Sequence, residues 1–245
     1  MTPLVFLHAF PFDSEMFECQ NDPFAEITHI IEPDLPGFGH ADVEPGITIE
    51  GMSDYLIAIL DRCGIRKAVI GGVSMGGYVA MAIARRHPDR VSGLVLADTR
   101  AEPDDDAAKA NRAKAIETVR TQGVAALVDA QIPKMLSANT QRDNPELVEW
   151  IRKIGYRQKP EGVIAGIQML RDRPDARLGL QDVKCPTLIV VGEEDTITPS
   201  SAAMAMKTLI PQATLVTIPK AGHLSNCEQP EAFNVAVRKY LSAIA

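Results

Sequence analysis

The sequence predicts an α/β fold, a doubly wound and mostly parallel sheet of about six strands carrying a helical insertion. Three observations predict it. Six short runs rich in Val, Ile and Leu punctuate the chain, at 4–7, 29–32, 68–73, 93–97, 187–191 and 214–218. They do not alternate apolar with polar residues, which is the pattern of parallel strands covered on both faces. Helical periodicity fills most of the gaps between them, and strand–helix alternation winds such a sheet. From about Arg100 to Val183 no strand pattern occurs, so that region reads as an insertion.

In chain order, the run at 4–7 follows a start with no basic region ahead of it, so it reads as a first strand and not a secretion signal. The helix over 49–63 sets Met52, Leu56, Ile59 and Leu60 on one face, with Gly64 as its stop. The helix over 75–87 ends ahead of Pro88, which cannot continue it cheaply. Within the insertion, helical patterns cover 104–122, 124–136, 145–156 and 160–171. Asp104, Asp105 and Asp106 suit a helix N-terminus and read as a solvated charged end, in preference to a metal site. A helix over 200–209 follows, and a last one over 228–244 repeats Phe233, Val237, Tyr240, Leu241 and Ile244, with Pro230 near its start. The expected division is a core of 1–99 and 184–245 and a helical cap of 100–183 lying over one edge of the sheet.

The 245 residues suit one α/β domain with an insertion. A hydrophobic share of 46% and a charged share of 23% are ordinary for a soluble globular chain. With a net charge of −7 and no basic run, nucleic acid and anionic membrane surfaces are poor partners. No apolar run approaches the length of a membrane span, and a cytoplasmic location is expected. Cys19, Cys63, Cys185 and Cys227 form no C-x-x-C pair and no metal-site spacing with histidine, and read as buried apolar fillers. No metal site is predicted, and nothing in the sequence speaks for or against oligomerisation.

The chemistry-bearing motif is G-x-S-x-G at Gly72, Ser74 and Gly76. Five residues are a weak signal alone. Here an apolar strand runs straight in and a helix with Ala80, Ala82, Ile83 and Ala84 runs straight out. Flanking glycines remove side chains that would clash where strand and helix meet, leaving the Ser74 hydroxyl exposed on a strained turn. The alternative is a glycine-rich turn with an N-capping serine. A nucleophilic serine needs a base. His223 follows the last apolar strand, on the rim that also carries Ser74. Asp195, after the penultimate strand, is the preferred carboxylate to orient it. Asp98, at the end of the 93–97 strand, competes for that role. An oxyanion hole needs two backbone N–H donors. Met75, next to the nucleophile, and Phe10, in the loop after the first strand, are the candidates. His8 precedes the nucleophile and reads as structural.

These segments together resemble the α/β-hydrolase superfamily from end to end. More narrowly the chain is similar to the small esterase and 3-oxoadipate enol-lactonase-like group, through Leu7-His8-Ala9-Phe10-Pro11, Asp34-Leu35-Pro36-Gly37-Phe38-Gly39, Gly72-Val73-Ser74-Met75-Gly76-Gly77, Val191-Gly192-Glu193-Glu194-Asp195 and Ala221-Gly222-His223-Leu224. Ala9 stands where that family commonly has glycine. The chain starts almost at the Phe10 loop, where relatives often carry two further strands, so about six strands, all parallel, are expected. The resemblance implies a serine hydrolase acting on a small ester or lactone through an acyl-enzyme, with no metal or organic cofactor. Enol-lactone hydrolysis, cofactor-free perhydrolysis, carbon–carbon bond hydrolysis and cyanohydrin cleavage run on the same triad. A non-catalytic small-ligand receptor is the remote alternative. The insertion is expected to roof the pocket, with Trp150, Met135 and Ile167 as candidate lining, though each of them taken singly reads more readily as cap core. Arg171 and Arg173 read first as surface charge at a helix C-terminus and, as the alternative, as a positive site for a substrate carboxylate.

Overall fold

The computed structural model describes residues 2–244. Its strands are β1 (Leu4–Leu7), β2 (Ile30–Ile31), β3 (Ala68–Val73), β4 (Val91–Ala97), β5 (Thr187–Gly192) and β6 (Thr214–Ile218). They form one sheet in the order β2-β1-β3-β4-β5-β6, and every neighbouring pair is parallel. The chain thus steps outward from β1 to β2 and returns to lay β3 on the other side of β1. Loops leaving β1 and β3 diverge at that reversal, at the carboxyl ends of the strands, the place where ligands bind in open parallel sheets.

Outside the insertion the helices are α1 (Glu18–Ala25), α2 (Ile49–Arg62), α3 (Met75–Arg86), α9 (Ser200–Leu209), α10 (Ser225–Glu228) and α11 (Pro230–Ile244). Those within it are α4 (Asp106–Met135), α5 (Ala138–Asp143), α6 (Pro145–Tyr156), α7 (Pro160–Asp172) and α8 (Arg177–Leu180). α2 packs on α3, while α1, α10 and α11 pack together. Phe6 of β1 faces the latter group, meeting Phe17, Phe24 and Phe233 edge-on at centroid distances of 4.7, 6.2 and 6.1 Å. Such edge-to-face pairs add about 0.5–1.5 kcal/mol each beyond the apolar area they bury.

Besides the four-residue turns α8 and α10, two longer helices lacked a sequence signal, each for a physical reason. α1 carries Pro23 and buries only Gln20 and Phe24, so its apolar stripe is too narrow to show a period. α5 is the polar hexamer ANTQRD, held by the Ser137 hydroxyl accepting the Thr140 N–H. α4 is broken at Gly123 (φ 86°), so it is two helices meeting where the expected 104–122 and 124–136 segments divide.

The insertion lies across the carboxyl rim of the sheet and not along one edge. Arg157 and Gln158 bond Asp13 after β1, Gln158 accepts the Gly39 N–H after β2, and the Met135 carbonyl accepts the His223 N–H after β6. At one crossing Gly162 of α7 meets Gly37 so closely that a Cβ on Gly162 would lie 1.9 Å from the Gly37 carbonyl oxygen. Three further readings are corrected. Asp104 is not a solvated helix end: it is buried and paired with Arg173 and Arg112, while Asp105 caps α4 by accepting the Ala108 N–H. Arg173 is not surface charge: its guanidinium is buried on Asp104 and lies 4.5 Å over the Tyr78 ring. Of the cysteines, Cys227 is buried and Cys185 partly so, but Cys19 and Cys63 are exposed; all four are free thiols. No helix among the described residues is long and apolar enough to cross a membrane.

Candidate active site

The turn from β3 into α3 puts Ser74 at φ 52°, ψ −108°, a left-handed conformation that a side-chain-bearing residue adopts only under constraint. Close packing supplies the constraint. A Cβ on Gly72 would stand 2.2 Å from the Gly76 backbone, and one on Gly76 would stand 2.0 Å from the Leu7 carbonyl oxygen. The Ser74 N–H donates to the Ala97 carbonyl (2.9 Å) and its carbonyl accepts the Thr99 hydroxyl (2.8 Å), which pins the turn to β4. The unpaired N–H groups of the first turn of α3 begin there.

His223 sits in the loop leaving β6, fully buried, with its N–H held 2.7 Å from the Met135 carbonyl. Its Nε2 lies 2.8 Å from Ser74 Oγ and its Nδ1 2.8 Å from Asp195 Oδ2. Asp195 is itself fixed: Oδ1 accepts the N–H groups of Ile197 (2.8 Å) and Thr198 (2.9 Å), and Oδ2 accepts the Thr198 hydroxyl (2.6 Å). A carboxylate on Nδ1 sets the tautomer, with Nδ1–H donating and Nε2 free to accept the Ser74 proton. Burial opposes the charged form of His223, yet the Asp195 charge and hydrogen bond outweigh it, and its pKa is raised above 6.5. Burial likewise opposes Asp195 ionisation, but His223 and the Thr198 donors hold its pKa below 3.8.

The competing carboxylate, Asp98, stands at the tip of β4 with no hydrogen bond to His223. It is completely buried and accepts the Gly192 N–H (2.8 Å), the Ser225 N–H (3.0 Å) and the Ser225 hydroxyl (2.5 Å). Burial first, then the nearby Asp195 charge, pushes its pKa up to about 7, against the opposing pull of His223, Ser225 and Gly192.

The Phe10 loop follows β1 on the same rim. Neither the Phe10 nor the Met75 N–H donates to another described residue, so both are free to bind a developing oxyanion. Ala9 takes no positive φ, and this loop therefore has no need of glycine there. The loop is braced instead by His8: its Nε2 accepts the Leu35 N–H (2.9 Å) and its Nδ1 lies 3.1 Å from the Ala9 carbonyl. Desolvation by burial lowers the His8 pKa, which keeps it neutral and suits that bracing.

The insertion contributes unevenly. Met135 reaches the site through its carbonyl on His223. Ile167 is fully buried beside Gly166, whose Cα faces the rings of Phe10 and Phe38. Trp150 is half-buried and fronts a hollow shared with Pro145, Glu146, Glu149 and Lys153, all exposed on the outer side of α6; it is not brought to Ser74. Arg171 forks onto its neighbour Asp172. Two further residues escaped the sequence reading. Thr198 donates to Asp195, and its only signal was its place just before Pro199. Glu228 accepts the N–H groups of Gly222 (2.7 Å) and Ser137 (2.8 Å), joining the histidine loop to the insertion. Its signal, a carboxylate opening the last helical stretch, looked like an ordinary helix start.

Among the described residues no group of three or more His, Cys, Asp or Glu is arranged to hold a metal ion. The arrangement can draw the proton from Ser74 as its oxygen attacks an electrophilic carbon and return it to a departing group.

A family model described as alpha/beta hydrolase fold matches residues 2–230. A 3-oxoadipate enol-lactonase of Acinetobacter baylyi is 29% identical over 235 residues, covering 96% of this chain and 86% of that protein. A thermophilic esterase from Thermogutta terrifontis, solved with malate bound, superposes with a TM-score of 0.96 at 41% identity, over 100% of this chain and 90% of that one. An enol-lactonase from Burkholderia xenovorans superposes with a TM-score of 0.92 at 26% identity, over 99% and 92% of the two chains.

Proposed function

The chain belongs to the alpha/beta hydrolase fold family, and from that premise we propose that it hydrolyses small carboxylic esters through Ser74, His223 and Asp195 by way of an acyl-enzyme. The observation that carries the reading is the unbroken hydrogen-bonded chain from Ser74 Oγ through both ring nitrogens of His223 to Asp195. Ser74 Oγ attacks the ester carbonyl while His223 Nε2 takes its proton. Asp195 stabilises the imidazolium, and the N–H groups of Phe10 and Met75 receive the oxyanion. His223 then protonates the leaving alcohol, and a water activated by the same nitrogen releases the acid.

The esterase reading is preferred to an enol-lactonase because of where Arg171 and Arg173, the two candidate cations, lie. Hydrolysis of a lactone bearing a carboxylate calls for a cation facing the substrate. Arg173 is buried on Asp104, and Arg171 is spent on Asp172. The Thermogutta esterase, the most alike in identity of the three proteins described above, supports the same preference. Lactone hydrolysis remains the second reading, supported by the two enol-lactonases. Met135 and Ile167 are proposed as the insertion's contribution to the pocket and Trp150 is left out of it. A panel of neutral short-chain esters and anionic lactones, run on wild type and Ser74→Ala, tests the proposal. Wild type turns over neutral esters and Ser74→Ala does not. Undiminished turnover by Ser74→Ala, together with no fluorophosphonate adduct on Ser74 of the folded wild type, overturns it.

A further inference from the structure

The triad-bearing loops leave β5 and β6, and both are tied to one buried side chain at the tip of β4. Asp98 Oδ1 accepts from Gly192, the last residue of β5 and three residues before Asp195. Asp98 Oδ2 accepts both the N–H and the hydroxyl of Ser225, two residues after His223. Its own N–H donates to the Val190 carbonyl (2.9 Å), and its backbone is held at φ 45°, a left-handed conformation that is strained for a non-glycine residue. No lysine or arginine is paired with it among the described residues. A strained, fully buried carboxylate without a cation is costly to keep for packing alone.

We propose that Asp98 is a positioning residue of the active site, a strut that fixes the Asp195 and His223 loops against each other and acts on Ser74 through His223. The proposal rests on the Ser74–His223–Asp195 reading above. Three hydrogen bonds to one carboxylate set the spacing between Gly192 and Ser225, and hence the alignment of Asp195 with His223 Nδ1. The charge matters as well as the geometry. The charged and titratable groups facing His223 are Asp195, Asp98 and Glu228, all of which favour its protonated form. Asp98 in turn is faced by Asp195 and His223. Whenever Asp98 is ionised, its buried negative charge steadies the imidazolium that forms as His223 takes the Ser74 proton, beside the Asp195 carboxylate that the ring touches.

Asp98→Asn and Ser225→Ala test this by kcat, KM and the acid limb of kcat/KM on a neutral ester. In Asp98→Asn the amide keeps the Gly192 bond, but presents N–H groups to the Ser225 N–H and carries no charge. Expected is a fall in kcat of about 10- to 100-fold, the scale of small misplacements of catalytic groups, with KM nearly unchanged and the acid limb moved to lower pH. Ser225→Ala removes a donor that favours Asp98 ionisation, so the limb moves the same way by less; this variant keeps the test alive if Asp98→Asn does not fold. A residue that merely supports the fold lowers melting temperature and leaves the limb where it was, and that result in both variants overturns the proposal. Ser74→Ala run alongside separates the two layers. Turnover without Ser74 defeats the triad reading itself. An inert Ser74→Ala beside an Asp98→Asn with wild-type kcat and limb defeats only the strut.

Discussion

Asp195→Asn changes one atom, and its surroundings determine which way the new amide turns. Oδ1 accepts two backbone N–H groups, from Ile197 and Thr198, so placing the amide nitrogen there sets donor against donor twice. The amide oxygen therefore keeps that side, and the nitrogen faces His223 Nδ1 and the Thr198 hydroxyl, where Oδ2 had been. A donor opposite Nδ1 demands a lone pair on it. The His223 proton moves to Nε2, which then points N–H and not a lone pair at Ser74 Oγ, 2.8 Å away. The serine loses its base although no heavy atom has moved. A wrong tautomer of this kind lowers kcat by about 10⁴-fold, or about 5.4 kcal/mol at 1.36 kcal/mol per decade. The assay is steady-state hydrolysis of an activated short-chain ester, with circular dichroism and melting temperature as controls for folding. KM stays within a few-fold, because ester binding does not involve Asp195. A variant that folds like wild type and keeps kcat within tenfold refutes the tautomer argument.

The acid limb of kcat/KM in the wild type lies above pH 6.5: His223 must be neutral to act, its pKa is raised, and activity is lost as pH falls through that raised value. A pH titration of a neutral ester checks it, and a limb below 6.5 contradicts the Asp195 pairing. Gly162→Ala puts a Cβ 1.9 Å from the Gly37 carbonyl oxygen, so α7 and the Gly37 turn must move apart, next to the Gln158–Gly39 hydrogen bond. Overpacking of this kind costs about 1–3 kcal/mol, or a melting-temperature drop of about 2–12 °C for a chain this long, read by calorimetry; an unchanged melting temperature would falsify the contact. Glu228→Gln turns one acceptor into a donor facing either Gly222 or Ser137. It is expected to lower stability by about 1–3 kcal/mol and to slow turnover. Thr198→Val removes a donor that helps hold the Asp195 pKa down. Asp195 stabilises the fold above its depressed pKa and loses that contribution as pH falls through it, so acid unfolding of the variant shifts to higher pH.

What could be read from the residues divides along a physical line. Features set by local sequence came through: the apolar strands at 4–7, 68–73 and 214–218, the turn at Ser74, and the helices at 145–156 and 200–209 all coincide with observed elements. Each depends on periodicity or on glycine at a fixed offset. Features set by long-range pairing did not. Arg173 sits 69 positions from Asp104, and nothing near either residue announces the partner. Trp150 illustrates the limit from the other side. Its face of α6 follows from which way the helix rolls on its neighbours, and a lone aromatic at helical spacing does not fix that roll. Asp98 was visible as a carboxylate on the correct rim. Only the folded chain separates a partner of His223 from a partner of Gly192 and Ser225.

The bond from the His223 N–H to the Met135 carbonyl has a consequence for anyone wishing to retune this molecule. The helices between β4 and β5 are the natural part to exchange for those of a relative, since they overlie the rim that carries Ser74 and His223. Here that exchange would also replace the carbonyl on which the histidine loop rests, and the Ser137 N–H that Glu228 grips. A transplant cut at 100 and 183 therefore swaps selectivity and the mounting of the base in one operation. Residues 135–137 belong with the recipient, not the graft.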